Sequence, residues 1–143
     1  MKHDKSRFKH KTKIDVRFSD LDAMRHVNNA TYLSYLEEAR IAYFKDVLAQ
    51  PKNNLDFGAV VARIEIDYIQ PLIFGEEIEL LTRVSRLGNK SSDVENLVVV
   101  MRGGKNIIAA SSQTKLVSYD YDTLKSVAIS EDLKKKIKEF EGL

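Results

Sequence analysis

The sequence of 143 residues contains no cysteine. This excludes disulfides, cysteine-bound zinc or iron–sulfur centres and cysteine nucleophiles. Long apolar runs are also missing, since the longest, residues 97–101, has five residues and a membrane-spanning helix needs about 20. The first residues lack the apolar segment of a secretory signal. We therefore expect a cytoplasmic protein that makes no membrane contact.

Several motifs of catalysis and nucleotide binding are absent as well. There is no Gly-x-Ser-x-Gly turn of an α/β-hydrolase and no glycine-rich phosphate loop. The three histidines, His3, His10 and His26, are scattered without the spacing of metal ligands. We therefore expect neither a metal nor a cofactor.

An excess of one charge is found only at the start of the chain. Residues 1–13 hold six basic side chains and one acidic one, whereas the remainder holds 17 basic and 20 acidic side chains. A nucleic-acid-binding domain would carry a basic face on its fold, so no nucleic-acid partner is expected. We interpret residues 1–11 as a flexible basic leader and residues 12–143 as one domain of ordinary size.

Alternating hydrophobicity predicts a series of strands. In residues 12–19, Ile14, Val16 and Phe18 share one face, which is typical of a half-buried strand. The same reasoning predicts strands at residues 60–69, 77–87, 92–102 and 106–119. Glycine-containing turns at 88–89 and 103–104 indicate hairpins. A short charged helix, capped by Ser130, is predicted at residues 130–140.

Residues 29–49 form the predicted long helix, with Asn28 or Asn29 as its N-cap. Apolar side chains occupy most of its sides, which indicates a largely buried helix. Because strands and helices do not alternate along the chain, a parallel sheet is disfavoured. The sequence predicts an α+β fold in which an antiparallel sheet curls around the helix.

The polar segment 19–32 lies directly before this helix and concentrates ionisable groups. A helix N-terminus has free N–H groups and a partial positive charge, which can stabilise an oxyanion. A nearby aspartate could attack an acyl carbon or activate water. The same residue types are also common in structural caps and turns.

Two stretches in this region carry a family resemblance, namely Asp20-Leu21-Asp22-Ala23-Met24-Arg25-His26-Val27-Asn28-Asn29 and residues 32–40. They resemble the signature of hotdog-fold acyl-CoA thioesterases of the 4-hydroxybenzoyl-CoA thioesterase-like branch, which includes long-chain acyl-CoA thioesterases. The similarity extends over residues 12–120. It implies a hotdog fold, a long central helix wrapped by a curved antiparallel sheet of five to six strands. It also implies a homodimer or homotetramer with sites across the dimer interface.

The resemblance assigns roles to particular residues. Asp22 matches the catalytic carboxylate, acting as nucleophile or general base, and the backbone N–H at Asn29 matches the group that polarises the thioester carbonyl. His26 completes the implied catalytic set and is expected to orient the loop or the substrate. The implied substrate contacts are Asn28, Tyr32, Val60, Val61, Arg86, Lys90 and Ser91.

Some alternatives stay open at this point. Many relatives have glycine where this chain has Arg25, so we expect a different turn or a charged rim there. Glu37 is the reserve carboxylate, although a structural pair with Arg40 is the expected role. A non-catalytic acyl-CoA-binding module is the alternative function. The acyl group and its carrier, coenzyme A or an acyl-carrier protein, are not specified by the sequence.

Overall fold

The computed structural model describes residues 3–49 and 58–143. Two helices are present, α1 (Thr31–Leu48) and α2 (Glu131–Glu141), together with 3₁₀ turns at Lys5–Arg7 and Phe18–Asp20. The strands are β1 (His10–Asp15), β2 (Ala59–Tyr68), β3 (Glu77–Leu87), β4 (Ser91–Arg102), β5 (Lys105–Asp120) and β6 (Lys125–Ser126). No helix in the described ranges is long and apolar enough to cross a membrane.

The strands form one antiparallel sheet in the order β1-β3-β4-β5-β2, and the short β6 pairs with β5. Within the described residues, β2 pairs with β5 alone and is therefore an edge strand. The predicted α+β architecture, with five long strands and one short strand around a long helix, is confirmed.

The core lies between α1 and the sheet in two clusters. The first surrounds the start of α1 and includes Tyr32, Tyr35, Leu36, Leu80 and Val98. The second cluster joins the end of α1 to α2 and the β3–β4 hairpin. Its buried residues are Tyr43, Leu48, Val84, Val94, Leu116 and Ile137. Both ends of α1 are thus fixed against the sheet, which also fixes the segment that precedes it.

The first strand differs from its prediction. β1 covers His10–Asp15 rather than residues 12–19, and the predicted inward position of Phe18 is wrong because this side chain is 77% exposed. The chain leaves the sheet after Asp15 and enters the 3₁₀ turn Phe18–Asp20, so the alternation no longer describes it. Phe8, within the segment expected to be flexible, is only 5% exposed and packs in a cluster with Leu81, Leu97 and Val99.

The helix ends agree with the sequence at α2 and differ at α1. Ser130 caps α2 as predicted, its Oγ accepting from the Leu133 N–H at 3.2 Å. The predicted N-cap of α1 is wrong, because Ala30 occupies that position without a side-chain cap. The Asn28 side chain instead closes the turn before the helix by accepting from the Ala30 N–H at 2.9 Å.

Candidate active site

A buried carboxylate, Asp20, anchors the loop that leads into α1. It accepts hydrogen bonds from the Arg17 N–H and guanidinium, both at 3.0 Å, and from the Tyr35 hydroxyl at 2.7 Å. Burial alone would raise the pKa of Asp20, but these hydrogen bonds and the Arg17 charge hold it below the ordinary value. Burial, followed by the bond to Asp20, raises the pKa of Tyr35, which therefore stays protonated and donates. Asp20 is thus an ionised residue with a structural role, and both of its carboxylate oxygens accept hydrogen bonds.

Asp22 has a different environment two residues later. Its side chain is exposed, and its Oδ1 accepts from the Met24 N–H at 2.9 Å. The backbone closes around it, since the Asp22 N–H donates to the His26 carbonyl and the Arg25 N–H to the Asp22 carbonyl, both at 3.0 Å. No described residue bonds to Oδ2 of Asp22. One carboxylate oxygen is therefore fixed and the other is available.

Arg25 adopts a left-handed conformation with φ of 64°. Glycine favours the same backbone region, so Arg25 adopts a conformation that a glycine at this position could also adopt, and the charged rim expected here stays a prediction. The Arg25 N–H must reach the Asp22 carbonyl to close the turn, and the exposed side chain meets no obstacle there. The cost of the conformation is of the order of 1 kcal/mol.

The Asn29 N–H is a free backbone donor just before α1. The Asn28 carbonyl accepts from the Thr31 N–H at 2.9 Å. Since C=O and N–H lie on opposite sides of a trans peptide, the Asn29 N–H points away from this turn. No acceptor for the Asn29 N–H is found among the residues that the structure describes. A free N–H beside a helix N-terminus is suited to bind a partial negative charge.

A cavity of about 360 Å³ lies where this loop meets the end of β2. It is lined by Asp22, Met24, His26, Val27, Asn29, Tyr32, Tyr68, Ile69, Gln70 and Pro71. Four residues singled out in the sequence, Asp22, His26, Asn29 and Tyr32, are thus brought to one site. The sequence does not predict the cavity residues at and after the end of β2, which are Tyr68, Ile69, Gln70 and Pro71. Alternation assigns a residue to one face of a strand but does not show which other part of the chain packs against that face.

The remaining predicted contacts lie near the other end of α1. The side chain of Val61, at the start of β2, lines a second cavity of about 300 Å³ with Arg40 and Phe44, and Val60 precedes it. The β3–β4 turn holds Arg86, Lys90 and Ser91, and Leu87 beside it packs in the cluster that contains the end of α1. An 18-residue helix spans about 27 Å, so the two groups are well separated within one chain.

Arg86 already has partners at the β3–β4 turn. Its guanidinium contacts Asp93 at 2.7 Å and donates to the Ser91 Oγ at 3.1 Å. This hydrogen-bonded pair raises the pKa of Arg86 and lowers that of Asp93. A phosphate bound here would have to compete with the Asp93 carboxylate.

The predicted pair between Glu37 and Arg40 is wrong. Arg40 is buried and no ion pair joins it to the exposed Glu37 in the described part of the chain, although the two stand three residues apart on α1. The Arg40 Nη1 is buried and has no hydrogen-bond partner. The described residues also contain no group of three acidic or histidine side chains that could hold a metal ion.

Comparisons with known proteins identify the family of the chain and its fold. A family model described as the thioesterase-like superfamily matches residues 16–137. The long-chain acyl-CoA thioesterase FadM of Escherichia coli is 29% identical over 131 residues, which cover 90% of this chain and 96% of that protein. A thioesterase from Thermus thermophilus, solved with coenzyme A and zinc, is 36% identical, covers 93% of this chain and 94% of its own, and has a TM-score of 0.80.

A solved structure of 4-hydroxybenzoyl-CoA thioesterase, in complex with 4-hydroxybenzoyl-CoA, shares the fold. The match has a TM-score of 0.83 and covers 90% of this chain and 97% of that chain, with 15% identity. At this identity the likeness concerns the architecture alone.

Proposed function

The chain belongs to the thioesterase-like superfamily, and we propose that it hydrolyses acyl-CoA thioesters to a free acid and coenzyme A by means of Asp22 and the Asn29 N–H. The class of enzyme predicted from the sequence, an acyl-CoA thioesterase, is confirmed by the family model and by the named relatives. The roles of individual residues are the content of the proposal.

One observation carries the proposal: a free carboxylate oxygen and a free backbone N–H border the same cavity. As a general base, Asp22 takes a proton from water, and the resulting hydroxide adds to the thioester carbon. As a nucleophile, Asp22 adds to this carbon itself, the C–S bond breaks to release the coenzyme A thiolate, and water then hydrolyses the resulting anhydride. In both routes the carbonyl oxygen gains negative charge, which the Asn29 N–H and the N-terminus of α1 stabilise. In the general-base route the C–S bond breaks as the carbonyl re-forms, and the departing coenzyme A thiolate takes the proton from Asp22. Neither route requires a metal.

His26 and Tyr32 have supporting roles in this proposal. The His26 carbonyl accepts from the Asp22 N–H and so shapes the turn that presents the carboxylate. The Tyr32 ring, 3% exposed, forms part of the cavity wall beside the acyl group. Neither side chain is required to exchange a proton.

The decisive experiment replaces Asp22 with asparagine and measures thiol release from a panel of acyl-CoAs. The variant keeps the acceptor for the Met24 N–H and loses the charge. We expect kcat to fall by about 10²- to 10⁴-fold, the range for a positioned proton-transfer group, with little change in substrate binding. Unchanged kcat in folded Asp22→Asn would refute the assignment.

A matched control exists at Asp120. Its Oδ1 also accepts from the N–H two residues later, that of Asp122, at 2.8 Å, and it lies outside the cavity. Asp120→Asn should leave kcat unchanged. If the wild-type protein binds acyl-CoA but releases no thiol, the chain is a binding module and the hydrolase proposal fails.

We further infer that two copies of the chain complete the site through β2. No strand among the described residues pairs with the second edge of β2, and Val61 and Tyr68 near the two ends of β2 are 45% and 46% exposed. Open strand edges pair readily with another chain. In an antiparallel pairing of two β2 strands, the start of one strand lies beside the end of the other. Val60 and Val61 of a second copy would then adjoin the cavity, although they are remote from it within one chain.

Sedimentation analysis of Val61→Asp tests this assembly. The charge should prevent edge pairing, so we expect a mass of one chain and a loss of most of the activity. Val127→Asp is the control, because Val127 is 37% exposed and lies outside the β2 edge. An active wild-type monomer, or a Val61→Asp variant that keeps the wild-type mass, would contradict the inference. The wild-type mass also distinguishes a dimer from a tetramer.

A further inference from the structure

Tyr68, the last residue of β2, makes a contact across the cavity that the reaction as proposed does not include. Its hydroxyl donates to the Asn29 carbonyl at 3.0 Å. Its ring meets Tyr32 edge-to-face, with centroids 5.0 Å apart and planes at 89°. This packing restricts the ring to one orientation, and the Ile69 and Gln70 N–H groups both donate to the Ala109 carbonyl just beyond it. The hydroxyl therefore projects from a well-anchored strand end.

We propose that Tyr68 is a positioning residue that fixes the peptide groups around Asn29 so that the Asn29 N–H faces the developing oxyanion. The proposal rests on the proposed hydrolysis and adds a residue from the sheet to a site otherwise built by the loop and α1. Tyr68 acts through Asn29 and exchanges no proton with the substrate.

Three hydrogen bonds define this local geometry. The peptide between Asn28 and Asn29 is held by the Thr31 N–H on its carbonyl. The following peptide is held at both ends, by Tyr68 on the Asn29 carbonyl and by the Asn28 side chain on the Ala30 N–H. Two of the three bonds are local and would move together with the loop. Among the bonds of the described residues, the one from Tyr68 alone ties these peptides to the sheet.

A fixed donor is valuable because an oxyanion hole works by preorganisation. An N–H that is already aligned stabilises the transition state without reorganisation at the moment of reaction. Displacement of a reacting or stabilising group by about 1 Å can lower a rate by about 10²-fold. Removal of the Tyr68 hydroxyl leaves the ring in the cavity wall and removes the bond between the Asn29–Ala30 peptide and the sheet, so this peptide is held only by the Asn28 side chain and can shift with the loop.

The first measurement compares the kinetics of Tyr68→Phe with those of a matched variant, Tyr121→Phe. The Tyr121 hydroxyl also donates to a backbone carbonyl, that of Ala59 at 3.2 Å, and the exposures of Tyr121 and Tyr68 are 45% and 46%. We expect Tyr68→Phe to lower kcat by about 10- to 100-fold with KM within about twofold. Tyr121→Phe should match the wild type. Equal kcat values for the two variants would overturn the proposal.

The second measurement follows the backbone amides of the free protein by NMR and needs no turnover. We expect Tyr68→Phe to shift the amide resonances of Asn29 and Ala30 and to accelerate by about tenfold the hydrogen exchange of the Ala30 N–H, which is bonded to the Asn28 side chain, while Tyr121→Phe leaves both amides unchanged. Unaltered amides would refute the positioning role, even if kcat fell. If the wild-type protein proved inactive on every acyl-CoA, the proposed hydrolysis would fail, and the amides would still decide whether Tyr68 fixes Asn29.

Discussion

The loop of residues 21–30 and the β3–β4 turn both concentrate polar groups, but they use them differently. In the loop, side chains bond to backbone, as Asp22 does to Met24 and Asn28 to Ala30, and one carboxylate oxygen and one N–H remain free. In the turn, the Arg86 side chain bonds to other side chains, those of Asp93 and Ser91. The first arrangement prepares groups for a ligand, whereas the second satisfies the cation before a ligand arrives.

The largest effect is expected from a substitution of Asp20, because the hydrogen bonds of this carboxylate hold the loop in place. Asp20→Asn removes the charge and replaces one carboxylate oxygen with an NH₂ group. The remaining oxygen can accept from the Arg17 N–H and the Tyr35 hydroxyl, but the bond from the Arg17 guanidinium to the second oxygen is lost. We expect a loss of about 2 kcal/mol in the free energy of unfolding, measured in urea, because buried charged hydrogen bonds are lost. Asp4→Asn is the control, since Asp4 accepts from the Ser6 N–H at 2.9 Å in an exposed turn. Equal stability of the two variants would show that Asp20 does not anchor the loop.

The same residue predicts how stability depends on pH. The pKa of Asp20 is lower in the folded protein than its ordinary value, so its ionisation stabilises the fold at pH above the ordinary value. This contribution decreases as the pH falls from about 4 through the lowered folded pKa. Unfolding in urea between pH 6 and pH 2 should therefore show the wild type and Asp20→Asn converging at the acidic end. A constant difference over the whole range would contradict the linkage.

A smaller effect is expected at the turn. If the Arg86 cation contacts the phosphates of coenzyme A despite its pair with Asp93, Arg86→Gln should raise KM for acyl-CoA by about fivefold, equivalent to about 1 kcal/mol. KM for an acyl-pantetheine, which lacks the nucleotide, should stay unchanged. Arg7→Gln serves as the control because Arg7 also pairs with a carboxylate, that of Glu95 at 3.4 Å. An unchanged KM for acyl-CoA would limit Arg86 to a structural role.

The smallest effect is expected at Arg25. Arg25→Gly relieves the left-handed conformation and should raise the free energy of unfolding by about 0.5 kcal/mol, after the greater unfolded-state entropy of glycine is included. Arg25→Ala keeps the steric cost and should give no gain. Thermal unfolding of the two variants separates backbone strain from the loss of the charge. Equal melting temperatures would show that the backbone conformation at this position carries no cost.

The sequence predicts the elements whose signal is local. The apolar pattern of residues 29–49 identifies α1, and the motif around Asp22 and Asn29 brings attention to the segment that borders the cavity. Phe18 was misplaced because the Arg17–Asp20 cap overrides the alternation of the preceding strand. Tyr68 was missed because its partner, Asn29, is 39 residues away, and only the packing of the sheet onto the loop brings them together. The left-handed conformation of Arg25 follows from the hydrogen bond between its N–H and the Asp22 carbonyl, and an arginine in the sequence does not indicate such a conformation.

The burial of Phe8 has a practical consequence for anyone who shortens the chain. This ring covers Leu81, Leu97 and Val99 on the outer surface of the sheet, and Arg7 beside it neutralises Glu95. Removal of the residues before β1 would expose the apolar side chains of Leu81, Leu97 and Val99 and would remove one cation that pairs with the Glu95 carboxylate. Such a truncated protein would be prone to self-association, although the loop of residues 21–30 would be untouched.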